Sequence, residues 1–232
     1  MTPATPLAAV LLDLDGTLLD TAPDLAFCLN ALLIECGHTP LPYARIRTQV
    51  SNGTAAVLKL GFADTEPAQF EALRARFLQL YRVHLSRETR LFAGFDEVLR
   101  QLEAHHIPWG VITNKPAWLT EPLLQQLGLF TRASCVLSGD TLPVCKPDPL
   151  PLLTAAKQIG IEPTRCLYLG DALRDVQAAR AARMVALGAR FGYLDPNENV
   201  ASWPVDAWIE QPLDLLSWVG LRSAATAQRP EP

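Results

Sequence analysis

Four short stretches of the sequence carry carboxylates, hydroxyls and ammonium groups of the kind that act on charged substrates. They are Asp13-Leu14-Asp15-Gly16-Thr17, Thr113-Asn114-Lys115, Lys146-Pro147-Asp148-Pro149, and Gly170-Asp171 followed by Asp175. Carboxylates brought to one point repel one another, and their pKa values rise unless a cation neutralises them. Oxygen-only ligands suit a hard ion, and Mg²⁺ accepts a few carboxylates together with water and a phosphate oxygen. These residue types therefore indicate magnesium-assisted chemistry on a phosphate group.

The side chains of these stretches divide into complementary roles. Asp13 and Asp15 stand two residues apart at the end of an extended run, so their side chains lie on the same side. In such a pair, one carboxylate can act as a nucleophile while the other transfers protons. Thr113 and Asn114 can donate hydrogen bonds to phosphate oxygens, and Lys146 can hold both the phosphate and the nucleophile by charge. Taken alone, the two aspartates could equally cap a turn after a strand.

Short apolar runs next to these stretches predict buried strands. The runs are residues Leu7–Leu12, Trp109–Thr113, Cys135–Ser138, Cys166–Gly170 and Met184–Leu187. Helical patterns of about ten residues separate them. Strands alternating with helices predict an α/β fold, a doubly wound parallel sheet with helices on both faces. In such a sheet, ligands bind beyond the carboxyl ends of the strands, which is where the polar stretches fall.

One long segment interrupts this alternation. From about residue 21 to residue 89 the apolar spacing is helical almost throughout, with amphipathic helices predicted over Asp24–Cys36 and Pro67–Ser86. We therefore predict an α/β catalytic core formed by residues 1–20 and 90–222, and an inserted α-helical cap formed by residues 21–89. The small and polar residues 223–232 predict a disordered tail. The cap, which faces the strand ends, is expected to determine substrate specificity.

Composition narrows the class of protein and its partners. With 49% hydrophobic and 19% charged residues, the chain has enough apolar material for a packed core. The net charge of −4 and the scattered cations argue against a nucleic-acid partner. The five cysteines form no metal-binding pattern, which favours a reducing compartment. Without a leader-like N-terminus or a membrane-spanning apolar run, we expect a cytoplasmic monomer or homodimer, with a small molecule as its partner and no membrane association.

The order of the four stretches resembles the motifs of the haloacid dehalogenase superfamily. These motifs are D-x-D-G-T, a strand-terminal Thr-Asn, Lys-Pro-Asp-Pro and Gly-Asp-x-x-x-Asp. A helical cap inserted directly after the first motif is similar to the phosphoglycolate phosphatase-like branch, and the resemblance covers about residues 7–220. It implies a Rossmannoid core, a Mg²⁺ cofactor, and phosphatase activity through an aspartyl-phosphate intermediate.

The resemblance also implies roles for the catalytic residues. Asp13 is expected to be the nucleophile, and Asp15 is expected to protonate the leaving oxygen and then activate water. Thr113 and the backbone amide of Asn114 are expected to hold the phosphate. Lys146 is expected to stabilise the charge on both the phosphate and the nucleophile.

The resemblance also implies that four aspartates of these motifs are metal ligands. Asp13 and Asp171 would bind Mg²⁺ through their carboxylates, and Asp15 would bind it through its backbone carbonyl. Asp175 matches a position that in the family either ligates the ion directly or orients its waters.

The presence of Asp15 also bears on the reaction. Relatives that cleave carbon–halogen or carbon–phosphorus bonds resemble this chain but lack an acid/base aspartate at that position. Hydrolysis of a phosphate ester is therefore the expected reaction. A phosphosugar mutase, which shares the same core residues, and a catalytically idle phosphate-binding module are the alternatives.

The substrate is expected to contact the cap at Ser51, Asn52 and Gly53. These residues begin a predicted helix with polar, glycine-containing backbone that could present donors to a ligand, although they could equally form only a helix cap and turn. The stretches Trp109–Pro116 and Arg190–Tyr193 are similar to loops of the N-acetylmuramic acid 6-phosphate phosphatases. Phosphoglycolate and a sugar phosphate of that kind are therefore both candidate substrates.

Overall fold

The computed structural model describes residues 6–221, so the predicted tail at residues 223–232 lies outside the described residues. Its strands are β1 (Ala9–Leu12), β2 (Leu19–Asp20), β3 (Arg90–Leu91), β4 (Trp109–Ile112), β5 (Cys135–Leu137), β6 (Cys166–Gly170), β7 (Val185–Ala189) and β8 (Ala207–Ile209). Six of them form one parallel sheet in the order β5-β4-β1-β6-β7-β8, and β2 pairs with β3 in a separate antiparallel ribbon.

Helices follow the strands of the sheet and also fill the segment between β2 and β3. They are α1 (Ala22–Glu35), α2 (Tyr43–Arg47), α3 (Thr54–Phe62), α4 (Pro67–Val83), α5 (Phe95–Ala104), α6 (Ala117–Gln126), α7 (Leu150–Ile159), α8 (Leu173–Ala181) and α9 (Leu215–Trp218). Short 3-10 turns cover Val50–Asn52, Pro163–Arg165, Val200–Ser202 and Pro212–Asp214.

Both faces of the sheet are buried, which confirms the doubly wound α/β architecture. Val10 and Leu12 of β1 pack into an apolar cluster with α5 and α6, while the alternate residues Ala9 and Leu11 pack with α7 and α8. Because successive side chains of a strand point to opposite faces, a strand covered on both sides is apolar at every position. This is why β1 appears in the sequence as a continuous apolar run.

The inserted segment contains the helices α1 to α4. The predicted helices Asp24–Cys36 and Pro67–Ser86 correspond to α1 and α4, with ends that differ by up to three residues. Apolar residues such as Leu29 of α1 and Phe77 of α4 join the cluster that covers one face of the sheet. The inserted helices therefore pack against the core through a continuous apolar contact.

The strands β2, β3 and β8 were not predicted from the sequence. β2 and β3 have two residues each and β8 has three, so none is long enough to show an alternating pattern. They are defined by pairing with distant partners, such as Leu19 with Leu91 and Gly188 with Trp208.

The burial of the cysteines and the length of the helices are two further features of the fold. Cys28, Cys135 and Cys166 are buried free thiols. Across residues 6–221, every helix is too short or too polar to cross a lipid bilayer.

Candidate active site

The sheet topology brings the ends of three strands to one place. Leu12 at the end of β1 pairs with Val111 of β4 on one side and with Leu169 of β6 on the other. Asp13, Thr113 and Asp171 directly follow these three strands. β1 lies in the middle of the sheet, with β4 on one side and β6 on the other. The order of the strands along the chain reverses direction at β1, and open α/β sheets bind ligands at such a switch point.

Three buried carboxylates meet at this point. One oxygen from each of Asp13, Asp171 and Asp175 lies within 4.8 Å of the others. Burial is the largest cause that raises the pKa of Asp13 to about 6, with Lys146 acting against it and Asp175 adding to it. Burial, followed by the charges of Asp13 and Asp175, raises the pKa of Asp171 to about 7. The cluster is therefore costly to hold fully ionised without a further cation.

Lys146 supplies one positive charge to this cluster. Its Nζ donates to Asp13 Oδ1 at 2.8 Å, to the carbonyl of Ile112 at 2.8 Å and to the hydroxyl of Tyr168 at 2.6 Å. An ammonium group has three N–H donors, so these three acceptors use all of them. Asp175 Oδ1 also lies 2.7 Å from Lys146 Nζ, yet it receives no hydrogen bond from the described residues. This contact is therefore an ion pair without a hydrogen bond.

The acidic cluster fits a divalent cation of the Mg²⁺ type. Its oxygen donors come from three buried carboxylates, and Asp175 Oδ1, whose one close cation is Lys146 at 2.7 Å, accepts no hydrogen bond from the described residues, so a hard cation would suit it as a further partner. Lys146 alone leaves the cluster with an excess of negative charge. The carboxylate of Asp15 is not part of this cluster, so any contribution of Asp15 to the ion would come from its backbone carbonyl.

Asp171 is closely packed around its Oδ2 atom and its Cβ atom. Ser51 Oγ donates to Asp171 Oδ2 at 2.7 Å, and the backbone N–H of Tyr193 donates to the same oxygen at 2.8 Å. A Cβ added at Gly16 would lie 2.1 Å from Asp171 Oδ2, and one added at Gly192 would lie 2.3 Å from Asp171 Cβ. Both glycines are therefore required by close approach to this carboxylate.

Asp15 has a separate set of partners. Its Oδ1 accepts a hydrogen bond from Thr21 Oγ1 at 2.6 Å and forms an ion pair with Lys115 Nζ at 2.8 Å. Lys115 Nζ also donates to the hydroxyl of Tyr81 in α4, at 2.8 Å. Burial alone would lower the pKa of Lys115, but Asp15 and Tyr81 outweigh it and hold that pKa above its ordinary value. Lys115 thus links the second aspartate of the first motif to the inserted helices.

Thr113 and Asn114 both line the cavity, but the side chain of Asn114 is already bonded. Its amide donates to the carbonyl of Lys146 at 2.9 Å, and its oxygen accepts from the Lys146 backbone N–H at 3.1 Å. This pair of bonds fixes the backbone that carries Lys146. The Thr113 hydroxyl accepts from the Lys115 N–H at 3.1 Å and keeps its own proton for another acceptor.

A cavity of about 580 Å³ lies between the strand ends and the inserted helices. Asp13 and Asp15 line it from the sheet side, and Ser51, Asn52 and Gly53 line it from the inserted segment. Of these last three, Ser51 is occupied by its bond to Asp171, while Asn52 and Gly53 are exposed. The sequence-predicted residues of both segments therefore surround one space.

Several residues of the site were not identified from the sequence. Arg174 lines the cavity and donates from Nη2 to the carbonyl of Ser51, and Tyr168 bonds to Lys146 beneath the cluster. Arg174 directly precedes Asp175. A positively charged residue inside the fourth motif could therefore have indicated that Arg174 belongs to the site. Tyr168 stands in an otherwise aliphatic buried strand, where its hydroxyl needs a polar partner.

Comparison with known proteins identifies the family of this site. A sequence model of the haloacid dehalogenase-like hydrolases matches residues 7–183. The chain is 44% identical over 207 residues to a phosphoglycolate phosphatase of Xanthomonas campestris, covering 89% of this chain and 94% of the relative. It is 40% identical over 210 residues to an N-acetylmuramic acid 6-phosphate phosphatase of Pseudomonas putida, covering 90% and 94% of the two chains.

Solved structures agree with this assignment. The fold matches a crystal structure from Haemophilus somnus, described as that of a predicted phosphoglycolate phosphatase, with a TM-score of 0.82 and 27% identity over 92% of this chain and 98% of the other. A hydrolase from Pseudomonas syringae matches with a TM-score of 0.72 and 28% identity over 93% and 98% of the two chains.

The chain belongs to the haloacid dehalogenase-like hydrolase family, as the four ordered motifs indicated. Within that family it is a phosphatase.

Proposed function

We propose that this phosphatase is a magnesium-dependent phosphomonoesterase in which Asp13 attacks the phosphorus of a small phosphate ester. The supporting observation is the buried contact of 2.8 Å between Asp13 Oδ1 and Lys146 Nζ, made by an aspartate that also lines the cavity. A carboxylate held beside an ammonium group, at a point that a ligand can reach, is suited to nucleophilic attack on an anionic ester.

Asp13, Asp171 and Asp175, with the backbone carbonyl of Asp15, would hold the ion. When bound, Mg²⁺ supplies positive charge that offsets these carboxylates and polarises the phosphate oxygens. The meeting of three buried carboxylates, with the Lys146 ammonium in contact with two of them, supports this assignment.

The reaction would proceed in two steps. First, a carboxylate oxygen of Asp13 bonds to phosphorus as the bond to the ester oxygen breaks, and Asp15, which has to enter this step protonated, gives its proton to the departing oxygen. Next, Asp15 takes a proton from water, whose oxygen bonds to phosphorus as the bond to Asp13 breaks, releasing inorganic phosphate. Thr113, the Asn114 backbone amide and Lys146 would offset the charge on the phosphate oxygens. The engaged side chain of Asn114 leaves its backbone amide for this purpose.

The substrate would be phosphoglycolate or a sugar phosphate such as N-acetylmuramic acid 6-phosphate. Relatives at 44% and 40% identity carry these two names. A cavity of about 580 Å³ lies within the range of about 300–1,000 Å³ usual for small-molecule sites and leaves room for either ester. The cap, residues 21–89, would make the choice through the cavity wall that includes Asn52 and Gly53.

The proposal is tested with purified protein and a panel of phosphate esters that includes both candidates. We expect Mg²⁺-dependent release of phosphate that a chelator stops, and Asp13→Asn should lower kcat by at least about 10³-fold because the nucleophile is lost. Asp64→Asn, an exposed position in the inserted segment, is the control and should be unaffected. Activity that survives Asp13→Asn or the chelator would contradict the proposal, and exchange of phosphate between substrate positions would indicate a mutase instead.

A further inference from the structure

The guanidinium of Arg174 has more hydrogen-bond donors than partners. It carries five N–H groups, and within residues 6–221 its one hydrogen bond runs from Nη2 to the carbonyl of Ser51. Its Nε is buried and receives no partner from the described residues. No carboxylate of that part of the chain stands at ion-pair distance from it. Unpaired donors on a largely enclosed cation are costly unless a ligand uses them.

The location of Arg174 places these donors beside the reaction centre. It lies in the first turn of α8, next to Asp175, and it lines the same cavity as Asp13 and Thr113. Burial alone would lower the pKa of Arg174, but Asp175, Asp13 and Asp171 outweigh it and raise that pKa. Arg174 is therefore a permanent cation at the wall of the candidate active-site cavity.

The hydrogen bond to Ser51 joins Arg174 to the inserted helices. Ser51 belongs to the 3-10 turn before α3, and its side chain donates to Asp171. One cap residue thus contacts a carboxylate of the acidic cluster through its hydroxyl and the guanidinium through its carbonyl. The orientation of Arg174 depends on the position of this turn.

We propose that Arg174 is a phosphate-binding residue whose free N–H groups hold an oxygen of the substrate's phosphoryl group. The Ser51 carbonyl orients the guanidinium, so the site would be complete only when the inserted helices pack as they do here. The planar fork of a guanidinium matches two oxygens of a phosphate, and its charge offsets the negative charge on the phosphoryl oxygens. This inference rests on the proposed phosphatase reaction and adds a contact to it.

The test measures the affinity for inorganic phosphate, which does not require turnover. Phosphate is titrated by calorimetry into the Mg²⁺-loaded full chain, and kcat and KM are measured with an aryl phosphate. Arg174→Gln should weaken phosphate binding on the order of 10- to 100-fold, because a charge-assisted hydrogen bond is lost. It should also lower kcat/KM by about 10²-fold. Arg174→Lys keeps the charge but lacks the fork, so its phosphate affinity should lie between those of wild type and Arg174→Gln.

Arg180→Gln is the matched control, because Arg180 stands on the same helix in an exposed ion pair of 2.7 Å with Asp206. It should bind phosphate as the wild type does. Phosphate affinity of Arg174→Gln within twofold of wild type, with any loss confined to Mg²⁺ affinity or thermal stability, overturns the inference. If Arg174→Gln does not fold, Arg174→Met, which also removes the charge, takes its place, and affinity within twofold of wild type has the same meaning. Failure of the phosphatase reaction itself would appear separately, as wild-type protein without turnover.

Discussion

At the scale of single residues, the enclosure of Asp171 is the feature with the clearest consequences. Its carboxylate lies between Gly16, Gly192, the hydroxyl of Ser51 and the backbone of Tyr193. Packed interiors leave no room for an added methyl group unless neighbouring atoms move. The position of Asp171 therefore depends on two residues that have no side chain.

We predict that Gly192→Ala lowers kcat/KM more than tenfold, because the new methyl group would displace Asp171. Overpacking of this kind also costs about 1–3 kcal/mol in the free energy of unfolding. Gly128→Ala is the control: its φ of 68° makes alanine unfavourable by about 1 kcal/mol, but its Cβ would meet open space. Measurements of kcat/KM and of urea unfolding for both variants separate the displacement of Asp171 from a general loss of stability. Equal activity of Gly192→Ala and wild type would contradict the prediction.

At the scale of elements, helix α1 is tied to the segment by which the chain returns to the sheet. Asp24 in the first turn of α1 is fully buried, and its carboxylate accepts hydrogen bonds from the backbone of Glu88 and from both the backbone and the hydroxyl of Thr89. β3 begins at the residue after Thr89 and pairs with β2, which ends two residues before α1 begins. One side chain thus joins the two ends of the inserted segment.

We predict that Asp24→Ala lowers the free energy of unfolding by about 3 kcal/mol, because two backbone N–H groups and a hydroxyl lose their acceptor. Asp24→Asn keeps one acceptor oxygen and should lose less. The control is Asp96→Ala, an exposed aspartate in the first turn of α5, which should cost about 1 kcal/mol or less. Urea unfolding measures all three variants, and equal losses for Asp24→Ala and Asp96→Ala would disprove the anchoring role.

At the scale of the whole molecule, we expect the acidic cluster to couple the stability of the fold to pH and to the binding of Mg²⁺. The pKa of Asp171 is about 7 and that of Asp13 is about 6 in the folded protein, against about 3.9 for an unfolded aspartate. Between these values the folded state binds more protons than the unfolded chain. Without a divalent cation, the contribution of these groups to stability is therefore present at about pH 4 and is lost as the pH rises to about 7.

We predict that metal-free Asp171→Asn is more stable than wild type at pH 8, and that this difference shrinks towards pH 5, because the wild-type carboxylate is then protonated. Mg²⁺ should raise the melting temperature of wild type more at pH 8 than at pH 5, since the ion competes with protons for the same oxygens. Thermal unfolding with and without Mg²⁺ at both pH values measures this. The same Mg²⁺ response at both pH values, or in Asp171→Asn, would rule out the cluster as its origin.

The fold and the location of the strand-end residues follow from the sequence by local reasoning. A continuous apolar run predicts a buried strand, and polar residues directly after it must lie at the edge of the sheet. Asp13, Thr113 and Asp171 were placed together on this basis. The ordered motifs added Lys146 and Asp175, and the structure brings Lys146 within 2.8 Å of both Asp13 and Asp175. The inserted helices α1 and α4 were predicted for the same reason, because their apolar spacing is local.

The partners of these side chains were decided by the tertiary structure alone. Ser51 and Asp171 are separated by 120 residues, and Lys115 and Asp15 by 100, so no local pattern relates them. The unsatisfied donors of Arg174 also appear only once the inserted helices are packed against the core. The sequence by itself determined which residues stand at the strand ends, because the apolar patterns of strands and helices repeat over a few neighbouring residues. Only the packing of distant segments decided which of them touch, because hydrogen bonds and ion pairs depend on distances of a few ångströms between groups far apart in the chain.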